Sequence, residues 1–117
     1  MRVTVKEVFN AVVVRIKGKL VGGPKAKEFH NILLNSRNRN KLNIIVDLKN
    51  VTHVDSAGIG ILVRGYTSMV NSDGNLKLAG ISDKVKGVLA ITKLNTVFEQ
   101  YPNVEEAAKS YNSKIKK

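Results

Sequence analysis

The sequence contains no cysteine and no tryptophan, only two prolines, and nine Asp or Glu residues against twenty Lys or Arg. Without cysteine there are no disulfides and no thiolate metal sites. The two histidines, His30 and His53, lie far apart and lack the short spacing of a ligand pair, so neither a metal centre nor a cofactor is indicated. Aromatic residues make up 5% of the chain, and none alternates with basic residues in the way that stacking of nucleic-acid bases needs. No apolar run approaches the roughly 20 residues of a membrane-spanning helix. The opening Met1-Arg2-Val3-Thr4-Val5-Lys6-Glu7 alternates instead of forming the apolar region of a signal peptide. No membrane insertion is expected, the expected location is cytoplasmic, and the Asn50-Val51-Thr52 sequon carries no weight. There is no internal repeat or low-complexity segment.

The chain has 117 residues, 43% of them hydrophobic, which is enough for one compact domain over 1–117 and too little for two. A monomer is expected. Net charge is +11 and uneven, because ten Lys or Arg in residues 1–42 face only Glu7 and Glu28. Lys17, Lys19, Lys25, Lys27, Arg37, Arg39 and Lys41 read as residues around turns and helix ends. That pattern indicates a solvated basic face whose first meaning is steering toward an acidic protein partner, with nucleic acid second and no direct nucleic-acid binding expected.

Punctuation divides the chain. Val3, Val5 and Val8 alternate loosely, Asn10-Ala11 reads as a tight turn, and Val12-Val13-Val14-Arg15-Ile16 as a second strand ending at Gly18, so the chain opens with a hairpin. Pro24 occupies a first helical position, and Ala26, Phe29, Ile32 and Leu33 repeat on one helical face as far as about Ser36. Ile44-Ile45-Val46 suits a strand buried on both faces, closed by Asp47-Leu48 and followed by a polar connection. Ile59, Leu62, Val63, Tyr66 and Val70 then recur at helical spacing up to the turn signal Asp73-Gly74. The expected core includes Ile44, Val46, Ile59, Leu62, Val63 and Leu78. Leu76-Lys77-Leu78-Ala79 is the next strand, Ser82 caps a helix whose face carries Val85, Val88, Leu89 and Thr92, and Val97-Phe98 reads as a short edge strand. After Pro102, Asn103 and Glu106 have capping-box spacing, Ala107, Ala108 and Tyr111 give the last helix its apolar side, and Lys114 to Lys117 are expected to fray. The order ββαβαβαβα predicts an α/β fold with a mixed sheet of four to five strands and about four helices.

The helix after the buried strand starts at Asp55-Ser56. Asp55 is a good N-cap, and Ser56 falls in the first turn, where free N–H groups and the positive end of the dipole point outward. Gly58 and Gly60 each cost a helix about 1 kcal/mol relative to Ala. Either tight packing of the helix on its own loop or sheet, or close approach of another surface, would account for them. An exposed Ser flanked by Asp and followed by Ala-Gly, at the head of a helix behind a buried strand, resembles the signature of the STAS family of anti-sigma-factor antagonists. The resemblance covers nearly the whole chain. Ile45-Val46-Asp47-Leu48, Val54-Asp55-Ser56-Ala57-Gly58 and Gly74-Asn75-Leu76-Lys77-Leu78 are similar to the family's core motifs, and Leu94, Val97-Phe98 and Val104-Glu105-Glu106-Ala107 to its tail. Two features depart from it. Leu20 is followed by Val21-Gly22-Gly23, where family members often carry a Leu-Asp pair tied to nucleotide or partner contact, and the balance of charge is basic where many members are neutral or acidic.

What the resemblance implies is a non-enzymatic, phosphorylation-switched binding module. Ser56 would be the phosphorylated residue, and Asp55, Ser56, Ala57, Gly58 and Ile59 the partner-binding surface. Its partners would be a serine kinase that doubles as an anti-sigma factor and a serine phosphatase, with docking of the unphosphorylated form releasing a sigma factor. A second reading uses the same fold as a regulatory subunit of a lipid or anion transporter complex. Catalysis fits less well. His53, Asp55 and Ser56 are triad residue types, but they lie within four positions of one backbone and lack a G-x-S-x-G elbow. Gly60 to Thr67 has Walker-like glycine spacing, with Tyr66 where the phosphate-binding Lys belongs, so a buried helix with glycine contacts is the better reading.

Overall fold

The computed structural model describes residues 1–8 and 10–115, with side chains described as far as Tyr111. The elements are β1 (Arg2–Val8), β2 (Ala11–Leu20), α1 (Pro24–Asn38), β3 (Asn43–Val54), α2 (Ser56–Val70), β4 (Asn75–Ala79), α3 (Asp83–Ile91), β5 (Gln100–Tyr101) and α4 (Val104–Ile115). This is the expected ββαβαβαβα order. The five strands lie side by side in chain order, β1-β2-β3-β4-β5; β1 runs antiparallel to β2, and the remaining pairs are parallel.

Side-chain alternation gives the sheet two unequal faces. Val12, Val14, Ile16, Ile44, Val46, Leu48, Leu76 and Leu78 form one, packed against Phe29 and Leu33 of α1, Ile59, Leu62 and Met69 of α2, and Val85 and Leu89 of α3. On the other face Ala11, Val13, Ile45 and Ala79 meet Ala107 and Tyr111 of α4. Ile44, Ile45 and Val46 are buried because both faces are covered at this point of β3.

α4 is held by polar anchors as well as by packing. The Tyr111 hydroxyl donates to the Ile44 carbonyl at 2.7 Å, and burial pushes that phenol well above its ordinary value of 10.0. Lys77, only 1% exposed, donates to Ser110 Oγ at 2.7 Å, and its Nζ lies 3.3 Å from Glu99 and 4.1 Å from the Tyr111 ring centroid. A buried ammonium needs such a cage to offset the water it has lost.

Several boundaries differ from the sequence reading. β3 continues through the supposed polar connection to Val54, because Lys17, Gly18, Lys19 and Leu20 pair with Asn50, Val51, His53 and Val54 around two register shifts. β2 therefore passes Gly18, and Lys17 and Lys19 are strand residues rather than turn residues. Ala11 opens β2, paired with Val8, and is not part of the turn. Val97-Phe98 is not a strand; Phe98 plugs the core edge-on to Tyr66, with ring centroids 5.3 Å apart, and the edge strand is Gln100–Tyr101. On α2 the buried set includes Ile61, Gly65 and Met69, while Val70 is 42% exposed and Val63 only partly buried. Thr92 is the exposed C-cap of α3. α4 extends through the 114–115 region expected to fray, and Lys116 and Lys117 lie outside the described residues.

Asn40, Asp73 and Lys93 take the left-handed conformation just past α1, α2 and α3, and the backbone N–H groups of Lys41, Gly74 and Leu94 close back onto Ser36, Met69 and Leu89.

Candidate functional site

The β3–α2 corner is built from its cap. The Gly58 N–H donates to Asp55 Oδ1 at 2.8 Å, and the Asp55 carbonyl accepts from the Ile59 N–H at 3.0 Å, so Asp55 ends the strand and starts the helix in one residue. Ser56 and Ala57 follow as exposed first-turn residues. Gly58 faces inward; a Cβ there would lie 1.9 Å from the Leu20 carbonyl oxygen, so α2 rests directly on the end of β2. The Asp55 N–H donates to the same carbonyl at 3.4 Å.

The two glycines have different causes. Gly58 is required by contact with Leu20, whereas a Cβ on exposed Gly60 would meet no heavy atom within 4 Å. Gly65 is a packing glycine, since its Cβ would sit 2.8 Å from Leu33 Cδ1. It lies inside an unbroken helix, which removes the Walker-like reading of Gly60 to Thr67. Ile59 is 3% exposed and belongs to the core, so of the five residues expected to meet a partner, Gly58 and Ile59 support the surface from within. The outward face consists of Asp55, Ser56, Ala57 and Gly60. Gly22, in the β2–α1 loop, borders it, with its Cβ position 3.2 Å from Ala57 Cβ. Sequence reasoning did not connect that loop with Ser56; the Val21-Gly22-Gly23 departure was the available signal.

His53, Asp55 and Ser56 do not assemble as a triad. Asp55 is engaged by the Gly58 amide, and the His53 ring by its neighbour Thr52, whose Oγ1 is 3.1 Å from Nδ1. Among the described residues there is no cluster of His, Asp or Glu able to hold a metal, and no helix is long and apolar enough to cross a membrane.

The STAS domain model matches residues 2–107, taking in the mixed sheet, the Asp55-capped helix and its exposed serine, and the chain belongs to the STAS domain family. Among curated relatives, the anti-sigma-B factor antagonist of Staphylococcus aureus is 31% identical over 67 residues, 57% of this chain and 62% of that protein. The match thus spans less than two thirds of that relative's length. The fold is also that of two solved structures. The Bacillus cell fate determinant SpoIIAA in its phosphorylated form superposes with a TM-score of 0.74 at 17% identity, covering 93% of this chain and 98% of that one. A sulfate transporter family protein from Wolinella succinogenes does so with a TM-score of 0.78 at 18% identity, covering 90% and 87%.

Proposed function

We propose that this chain is a non-enzymatic anti-sigma-factor antagonist, a single STAS domain acting in the cytoplasm as a phosphorylation-switched binding module. The observation that carries the reading is the exposed Ser56 at the head of an Asp55-capped helix whose first turn is backed by the Leu20 carbonyl. In its unmodified form the Asp55, Ser56, Ala57 and Gly60 surface docks on an anti-sigma factor that is also a serine kinase; a serine phosphatase resets it. The anti-sigma-B factor antagonist relative and the phosphorylated SpoIIAA neighbour support this reading.

The chemistry is local. A phosphate brings about −1.5 to −2 charges and three acceptor oxygens, which free N–H groups and the dipole of a helix N-terminus tolerate. A partner packed closely over Ser56 does not tolerate them, because the group must be desolvated inside a surface shaped for a hydroxyl. A penalty of ~2–4 kcal/mol corresponds to about 30- to 1000-fold weaker binding. The test is to capture the partner kinase with wild-type protein, incubate it with ATP and wild type or Ser56→Ala, and locate phosphate by mass spectrometry. Phosphate is expected on Ser56 alone, with Ser56→Ala binding constitutively and Ser56→Asp folded but binding poorly. Incorporation elsewhere, or equal affinity of the Ala and Asp variants, overturns the reading.

Service as a regulatory subunit of a lipid or anion transporter is the second reading, favoured by the Wolinella succinogenes neighbour and by the basic balance. Capture of transporter subunits in the same experiment, with binding indifferent to Ser56→Asp, is its signature.

A further inference from the structure

α4 covers only part of its sheet face. Its apolar side sits on Ala11 and Val13 at the start of β2, on Ile45 and on Ala79, and its first turn, through Val104 and Glu105, lines a cavity of about 300 Å³ with Arg15, Asp47 and Lys49. Among the described residues, no helix lies on the rest of that face, over β1 before Val8, the second half of β2 and the adjoining part of β3. Cross-strand register puts Arg2 opposite Lys17 and Lys6 opposite Val13, and Val13 is an α4-side residue, so Arg2, Lys6, Arg15 and Lys17 share this face. Lys19 follows by alternation, between the core residues Ile16 and Leu20, and Lys49 lines the cavity beside Arg15. All six are exposed. Among the described residues, the ion pair on this patch is Arg15 to Asp47 at 2.9 Å, and Asp47 also accepts from the Lys49 N–H at 3.0 Å. Glu105 stands at the rim.

From this geometry we infer that the open patch is a docking site for an acidic helix of a protein partner, laid alongside α4. Three observations favour that occupant. Cations on alternate residues of β2 stand about 6.8 Å apart and on neighbouring strands about 4.8 Å apart, a two-dimensional array roughly 10 Å wide, close to the diameter of one helix. α4 rises beside the array as a wall, which suits a rod and holds off an extended flat surface such as a bilayer. Among the described residues, the patch offers no Phe, Tyr or Trp ring on which bases of a nucleic-acid strand could stack. The array also runs into the Ser56 corner, because Lys19 pairs with His53 and the next pair, Leu20 with Val54, leads into Asp55. One partner can therefore cover both. The inference rests on reading the chain as a protein-binding module, and contact through so polar a face is salt-sensitive and governs encounter and orientation.

The experiment is an amide NMR titration of the 15N-labelled chain with a blocked, Ala/Glu-rich helical 20-residue peptide as probe, at 50 mM and 500 mM salt. Shifts are expected on Arg2 to Lys6, Arg15 to Lys19 and Lys49 to His53, disappearing at high salt. Lys17→Glu/Lys19→Glu should weaken binding at least about tenfold, as should Arg2→Glu/Lys6→Glu if the first pair fails to fold. Lys25→Glu/Lys27→Glu on α1, which changes net charge equally, should leave it unchanged. Absence of shifts at low salt, shifts spread over all basic residues, or equal weakening by the α1 pair overturns the inference. Tighter binding of a 16-base-pair DNA duplex or of phosphatidylserine vesicles at the same residues also overturns it, in favour of another polyanion. The titration uses neither kinase nor phosphate, so its failure leaves the Ser56 reading standing, and failure of phosphorylation leaves the titration result standing.

Discussion

Alanine substitution at two glycines two residues apart should move stability in opposite directions. At Gly58 a methyl group would arrive 1.9 Å from the Leu20 oxygen and 2.6 Å from its carbonyl carbon. Both are backbone atoms of a paired strand, so relief requires α2 to lift from β2, straining the Asp55 cap and the Asp55 to Leu20 hydrogen bond. Overpacking of this kind costs ~1–3 kcal/mol or more, and the helix-propensity gain of Ala returns only about 1 kcal/mol. Because the obstructing atoms are backbone, the upper end of that range applies, and Gly58→Ala should lose ~2 kcal/mol net. At Gly60 the methyl meets nothing within 4 Å, so Gly60→Ala should gain ~0.5–1 kcal/mol from propensity alone. The resulting gap of about 3 kcal/mol separates the two melting temperatures by on the order of 10 °C for a domain of this size. Thermal and urea unfolding followed by circular dichroism reads it directly. Equal melting temperatures, or Gly60→Ala as damaging as Gly58→Ala, would refute the placement of the helix on Leu20.

Leu62→Ala, at a fully buried α2 position, should cost ~2–5 kcal/mol in the same assay, and a wild-type melting temperature would show the helix face to be misplaced. Tyr111→Phe removes the hydroxyl that donates to the Ile44 carbonyl and should cost ~0.5–1.5 kcal/mol at neutral pH. The folded state raises the Tyr111 phenol above 10.0, so its stabilising effect is whole below about pH 10 and is lost as the unfolded chain ionises above it; Tyr111→Phe should flatten that alkaline decline. Lys93→Gly relieves a left-handed lysine at φ 62° and should raise stability by ~0.5–1 kcal/mol, measured by urea titration.

The order of elements was legible because each announces itself locally. Pro24 starts α1, Ser82 caps α3 through the Val85 amide, Asn103 caps α4 through the Glu106 amide, and Asp55 caps α2. Errors fell where tertiary context overrides pattern. The second half of β3 reads as a loop because Lys49, Asn50, Thr52 and His53 are polar; they occur in a strand because the sheet is bare on that side, and a bare face is invisible to a one-dimensional period. Phe98 reads as strand because hydrophobicity does not distinguish a rung of a ladder from a plug against Tyr66. At the candidate site the Asp55 cap and the exposure of Ser56 were readable. The division of labour between Gly58 and Gly60 was not, since it depends on a carbonyl 38 positions upstream.

The seam between Leu20 and Gly58 also bears on how fast such a module could respond. With the Leu20 carbonyl oxygen against its backbone, the first turn of α2 has little room to move closer to β2. On the proposed reading, a modification of Ser56 acts through the surface it presents, because the turn beneath it is already in contact with Leu20. On that reading, response times should follow the partner's dissociation and the modifying enzymes.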